Sequence, residues 1–120
     1  MILEKEILRG HDITSEQREN LNKLLIAVNT LRARYGRAMI VTSGFRTQEH
    51  NKAIGGAPNS NHCKCLAVDF ADYDGELKAF CRKNNYEVLI ECGLYMESGE
   101  VSKSWCHVQL TPTSKREFIP

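Results

Sequence analysis

Leu66-Ala-Val-Asp69-Phe-Ala71 reads as a β-strand with a carboxylate in its middle. Side chains alternate along a strand, so Ala67 and Asp69 share one face and Val68 and Phe70 the other. The apolar pair demands a core on its side. On the opposite side, an acid is expensive to bury unless a cation or hydrogen-bond donors satisfy it. The fold must therefore offer a packed layer on one face of this strand and, on the other, either water or a polar cluster.

The neighbouring segments supply the packed layer. Thr14 can cap a helix with Gln17 closing a capping box, and Leu21, Leu24, Leu25, Val28 and Leu31 recur at helical spacing until Gly36. Ala38–Thr42 is a β-branched apolar run that Ser43-Gly44 breaks, and Thr47 caps a short helix from Gln48 to about Ile54. Gly55–Asn61 is a loop by composition, and Asp74 is positioned to cap a third helix from Gly75 to about Lys83, ended by Asn84-Asn85. Glu87–Glu91 and Trp105–Leu110 read as further strands, with Met96–Ser104 as a polar hairpin loop. Two or three helices against a small, mostly antiparallel sheet make an α+β fold, with residues 1–120 as a single domain.

Composition narrows the class. The formal net charge is +1 and no dense basic block occurs, so no nucleic-acid partner is expected. No apolar run approaches the ~18 residues of a spanning helix, so no membrane role is expected. Met1-Ile-Leu-Glu-Lys-Glu carries acids where a signal peptide would carry bases, which points to a chain that is cytoplasmic where it is made. Five cysteines, an odd number, argue for reduced thiols rather than a disulfide framework. A monomer is expected.

Of the four histidines, two stand in informative places. His62 lies seven residues before Asp69, and His107 lies in a strand where Trp105, His107 and Gln109 share a face. Two imidazoles and a carboxylate form the three-ligand set of a catalytic zinc site, which keeps a fourth position open.

These residues also carry a family resemblance. Ser60-Asn-His62-Cys-Lys-Cys65-Leu-Ala67-Val-Asp69 resembles the Ser-x-His-x-x-Gly-x-Ala-x-Asp motif of the zinc D-Ala-D-Ala carboxypeptidase and L-alanyl-D-glutamate endopeptidase family. Trp105-Cys-His107-Val resembles that family's Trp-x-His-Val. Ser43-Gly-Phe-Arg46 and Gly55-Gly-Ala-Pro-Asn-Ser60 are similar to two segments of its short, phage-associated branch. The resemblance spans about Met39 to Leu110. It implies a fold shared with the hedgehog signalling domain and one zinc held by His62, Asp69 and His107. It also implies hydrolysis of an amide in a peptidoglycan stem peptide, and action on the bacterial cell wall. Arg46 would stabilise an oxyanion or bind a substrate carboxylate, or else pair structurally with an acid. Ser60 would hold the loop or a substrate group.

The chain departs from the pattern at two positions. Cys65 replaces the motif glycine, which is harmless only if that residue is extended. Many relatives carry a Glu three residues before the second zinc-binding His, where this chain has Ser104. Val88-Leu-Ile-Glu91 resembles a strand of the short branch, so Glu91 is the expected general base, with Glu97 and Glu100 as loop alternatives. Three other readings compete: a thiolate metal site using Cys63, Cys65 and Cys106; a binding or structural module of the same fold without turnover; and a thiol enzyme using Cys63 or Cys106.

Overall fold

The computed structural model describes residues 1–120. In chain order the elements are α1 (Glu4–Leu8), α2 (Ser15–Tyr35), β1 (Val41–Ser43), α3 (Gln48–Ala53), a 3-10 turn (Asn61–Lys64), β2 (Ala67–Ala71), α4 (Glu76–Cys92), β3 (Tyr95–Glu97), β4 (Trp105–Gln109) and β5 (Glu117–Phe118). The sheet runs β1-β2-β4-β3-β5, antiparallel throughout except for the parallel β3–β5 pair. This is the expected α+β architecture, with α1 and β5 added at the ends.

Local chemistry sets the ends of α2. The Thr14 hydroxyl accepts from the Gln17 amide, the Gln17 side chain reaches back to the Thr14 amide, and Gly36 closes the helix at φ 73°. Leu21, Leu24, Val28 and Leu31 are fully buried and pack with Val68, Phe70, Cys106, Val108 and Met96 from the sheet. Each such aliphatic side chain removed from water contributes roughly 1.5–3 kcal/mol. The face of β2 bearing Val68 and Phe70 therefore meets the helical layer, as alternation requires.

α4 corrects two expectations. Its chain does break at Asn84-Asn85, where Asn84, Asn85 and Tyr86 all take positive φ. Beyond the break, however, Glu87–Cys92 is helical and not a strand. Val88 and Leu89 enter the core with Cys92 packed beside it, while Ile90 and Glu91 face outward, a helical pattern that a six-residue window cannot distinguish from a strand. The cap also differs from expectation. Asp72 does most of the work at the start of α4, accepting from the Leu77 and Lys78 amides at 2.9 and 3.0 Å, while Asp74 accepts only from Glu76 at 3.1 Å. Buried Lys78 closes on Asp72 at 2.9 Å and donates to the Trp105 carbonyl at 3.0 Å, pinning α4 to the first residue of β4.

Cys65, the departure from the motif glycine, sits at φ 57°, ψ 34° after the 3-10 turn. A left-handed residue with a side chain costs about 1–2 kcal/mol. Complete burial of the thiol in the core offsets part of that cost. No helix is long and apolar enough to cross a membrane.

Candidate metal centre

Asp69 of β2, His107 and Gln109 of β4 and Glu97 of β3 share the sheet face opposite the core. Register pairs Asp69 with His107 and Ala67 with Gln109 across β2 and β4. It also pairs Tyr95 with Gln109 and Met96 with Val108 across β3 and β4. One further step along that antiparallel register brings Glu97 beside His107. The 3-10 turn before β2 delivers His62 to the same place. Its start is set by Ser60, whose hydroxyl accepts from the His62 amide at 3.2 Å.

The three expected ligands converge. His107 Nδ1 lies 2.8 Å and His62 Nε2 3.3 Å from Asp69 Oδ1, and the two rings meet edge to face with centroids 5.2 Å apart. One donor atom from each residue falls within a 4.8 Å cluster, and all three residues are buried. The outer nitrogens are also assigned. His62 Nδ1 is 2.9 Å from the Gly44 carbonyl, which can only accept, so Nδ1 carries the proton and Nε2 keeps its lone pair. His107 Nε2 is 2.8 Å from Gln109 Oε1, which leaves Nδ1 facing Asp69. Two neutral imidazole lone pairs and one carboxylate, aimed at one point from three segments, suit a divalent metal of the zinc type.

The electrostatics agree. Burial alone would raise the pKa of Asp69, but hydrogen bonds and charge from His107 and His62 outweigh it and hold the carboxyl far below its usual range. Burial likewise opposes charging His107, yet the hydrogen bond and charge of Asp69 raise its pKa overall.

The Ser43-Gly-Phe-Arg46 segment builds the outer wall. The backbone of Ile7 lies directly where a Gly44 side chain would stand, and the Ile7 carbonyl accepts from the Phe45 amide at 2.9 Å. Only glycine permits that approach, and it places the carbonyl that orients His62. The Arg46 guanidinium lies 3.8 Å from Asp69 Oδ2 and is steadied by Ser43 at 3.2 Å and Asn51 at 3.4 Å. Its side chain is 18 % exposed. It opens onto a polar pocket of about 210 Å³ that includes Arg9, His11 and His50. A cleft of about 490 Å³ borders His107 and Glu97 and is lined by Ser60, Asn61, Gln109 and Phe118.

Glu91 does not reach this site. It lies on α4, exposed, with its carboxylate held by Arg34 of α2 at 2.6–3.1 Å. The expectation of a base there depended on a strand that does not form. The acid that does approach is Glu97, at the end of β3, whose carboxylate is 3.9 Å from His107 Nδ1 and whose side chain is 15 % exposed. The signal for it was short: Gly93 as a helix stop, then Leu94-Tyr-Met before the acid. Glu100 is exposed and lines a neighbouring pocket with Tyr86 and Lys115. Ser104 is exposed and contributes its carbonyl to the Asp72 amide.

The cysteines take no part. Cys106 points into the core against Cys81, and that contact and its burial push its pKa well up. Cys65 lies in the core with its thiol raised to about 11, and Cys63 points its sulfur at the Thr47 carbonyl. All five are free thiols. A nucleophile needs an accessible, readily ionised thiol, and burial with a raised pKa denies this to Cys63 and Cys106.

The sheet and the 3-10 turn leading into it carry two histidines and an aspartate that could together hold a metal ion, over a helical layer. The match to the family model described as Peptidase M15 extends over residues 2–109, and the chain belongs to that family. Among solved structures it is similar to an L-Ala D-Glu endopeptidase, ChiX, of Serratia marcescens. That match has a TM-score of 0.52 and 24% identity, covering 82% of this chain and 89% of that one. No curated protein sequence matches.

Proposed function

We propose that this chain is a zinc-dependent hydrolase of an amide bond in peptidoglycan stem peptides, with Glu97 as its general acid–base. The observation that supports it is the convergence of His62 Nε2, Asp69 Oδ1 and His107 Nδ1 beside a carboxylate at the edge of an open cleft. Zinc bound there supplies Lewis acidity, polarising a carbonyl and lowering the pKa of water. The residues of the chain do the rest. His62 and His107 offer lone pairs because Gly44 and Gln109 occupy their outer nitrogens. Glu97 takes the proton of the attacking water as hydroxide adds to the amide carbon, then delivers it to the amine nitrogen as the C–N bond breaks. Arg46 holds Asp69 and turns its exposed edge to the adjacent polar pocket, where it can meet a substrate carboxylate. Ser60 and Asn61 form one wall of the cleft.

Membership of the family supports the peptidoglycan substrate, and the similar Serratia protein is an L-Ala D-Glu endopeptidase. On this reading the protein is made in the cytoplasm and acts on the bacterial wall, in lysis or remodelling. A non-catalytic module was favoured by the lack of an acid at Ser104, and Glu97 removes that support.

Elemental analysis after metal-replete purification should find one zinc per chain. The loaded protein should cleave purified wall peptides, and a chelator should abolish the cleavage. Mass spectrometry of the products reads the bond: loss of a terminal D-alanine marks a carboxypeptidase, and a cut between L-alanine and D-glutamate marks an endopeptidase. A fully loaded protein that cleaves no wall type would overturn the proposal.

A further inference from the structure

Behind His107, three residues form a closed hydrogen-bonded ring. Gln109 Nε2 donates to the Thr111 carbonyl at 3.0 Å. The Thr111 hydroxyl donates to Asn61 Oδ1 at 2.7 Å, and Asn61 Nδ2 donates to Gln109 Oε1 at 3.2 Å. Each link fixes the next. The Thr111 carbonyl can only accept, so it takes the NH₂ end of the Gln109 amide. The Thr111 hydroxyl occupies the oxygen of Asn61, so Asn61 turns its NH₂ group toward Gln109. Gln109 therefore presents an oxygen to His107 Nε2, 2.8 Å away. That oxygen cannot donate, so His107 must carry its proton on Nε2 and keep Nδ1 for the cluster with Asp69.

We propose that Gln109, locked by Asn61 and Thr111, is a positioning residue that sets which nitrogen of His107 binds the metal. The inference rests on the metal centre proposed above. The ring also joins two ligand-bearing elements. Gln109 is the last residue of β4, and Asn61 opens the 3-10 turn that carries His62, with its carbonyl accepting from the Cys65 and Leu66 amides. Gln109 is buried, and both ends of its amide are hydrogen-bonded within the protein. Partners that orient a metal-binding histidine in this way are typically worth ~10–100-fold in metal affinity.

The test uses zinc itself with the full chain. Zinc dissociation constants come from chelator competition. The Nε2–H proton of His107 in the zinc-loaded protein is followed by imidazole ¹⁵N NMR. Gln109→Leu should weaken zinc binding by ~10–100-fold and expose that proton to fast exchange. Gln109→Glu keeps an acceptor for the Nε2–H but loses the donor to the Thr111 carbonyl, and should restore protection of that proton only in part. Thr111→Val keeps the backbone acceptor but frees Asn61 to rotate, and should cost several-fold. A folded Gln109→Leu protein with wild-type zinc affinity and a protected Nε2–H overturns the proposal. If that variant does not fold, wild-type affinity in Thr111→Val overturns it instead. Failure of the wild-type chain to take up zinc refutes the metal centre; zinc uptake indifferent to these substitutions refutes the ring alone.

Discussion

Replacing Glu97 by glutamine keeps the shape of the side chain and removes both its charge and its capacity to take a proton. The carboxylate stands 3.9 Å from His107 Nδ1 and is only 15 % exposed, so little solvent can replace it. General acid–base groups contribute ~10²–10⁴ in rate. At about 1.36 kcal/mol per tenfold, that is roughly 2.7–5.4 kcal/mol of barrier. A second effect acts on the metal. A carboxylate beside the ligands attracts a divalent cation, and the substitution removes that charge. Glu97→Gln should therefore bind zinc more weakly as well, and turnover must be compared at saturating zinc with occupancy measured in the same sample. Under those conditions kcat on wall peptides should fall by ~10²-fold or more while the melting temperature barely moves. Glu97→Asp, which withdraws the carboxylate by one methylene, should fall between. Glu91→Gln is the matched control: it breaks only an exposed pair with Arg34 and should keep wild-type kcat. Wild-type kcat in fully loaded Glu97→Gln, or its loss in Glu91→Gln or Glu100→Gln, would refute the assignment.

The metal-free protein should lose stability as pH rises. The folded pKa of His107 is raised, so its contribution is fully present below its unfolded value of ~6.5 and is lost through the raised one. The depressed pKa of Asp69 adds stability present above ~4 and lost only in stronger acid. Zinc affinity should run the other way and increase over the pH range in which His107 loses its proton. A metal-free melting temperature that is flat from about pH 6 to 9 contradicts the His107–Asp69 pair. Titration of the denatured, unreduced protein should count five thiols, and the native protein should react slowly because burial holds groups such as Cys65 at a pKa of about 11. Fast native labelling of Cys63 or Cys106 would reopen thiol chemistry. Asp72→Asn leaves the buried Lys78 ammonium without its counter-charge and should cost roughly 3–5 kcal/mol in denaturant unfolding. A loss under about 1 kcal/mol would show that the pair does not anchor α4 to β4.

Much of the centre could be read from the chain alone, because its determinants are local. The period of two along Ala67–Ala71 and Trp105–Gln109 put Asp69 and His107 on faces opposite Phe70 and Cys106, and the core then had only one side to occupy. The caps at Thr14, Gly36 and Thr47 likewise depend on bonds within three or four residues. Other features depended on partners distant in sequence. Val88–Glu91 has the composition of a strand, yet it folds as the end of α4, which packs on α2, and that change removed the expected base. Glu97 entered the site only because β3 pairs with β4 in a register that a three-residue strand is too short to announce. Which nitrogen each histidine offers was decided by Gly44, eighteen residues from His62, and by a ring joining Asn61 to Gln109, forty-eight residues apart. Side-chain alternation is a property of a single strand, but proton placement and strand partners are properties of contacts, and those exist only once the chain has folded.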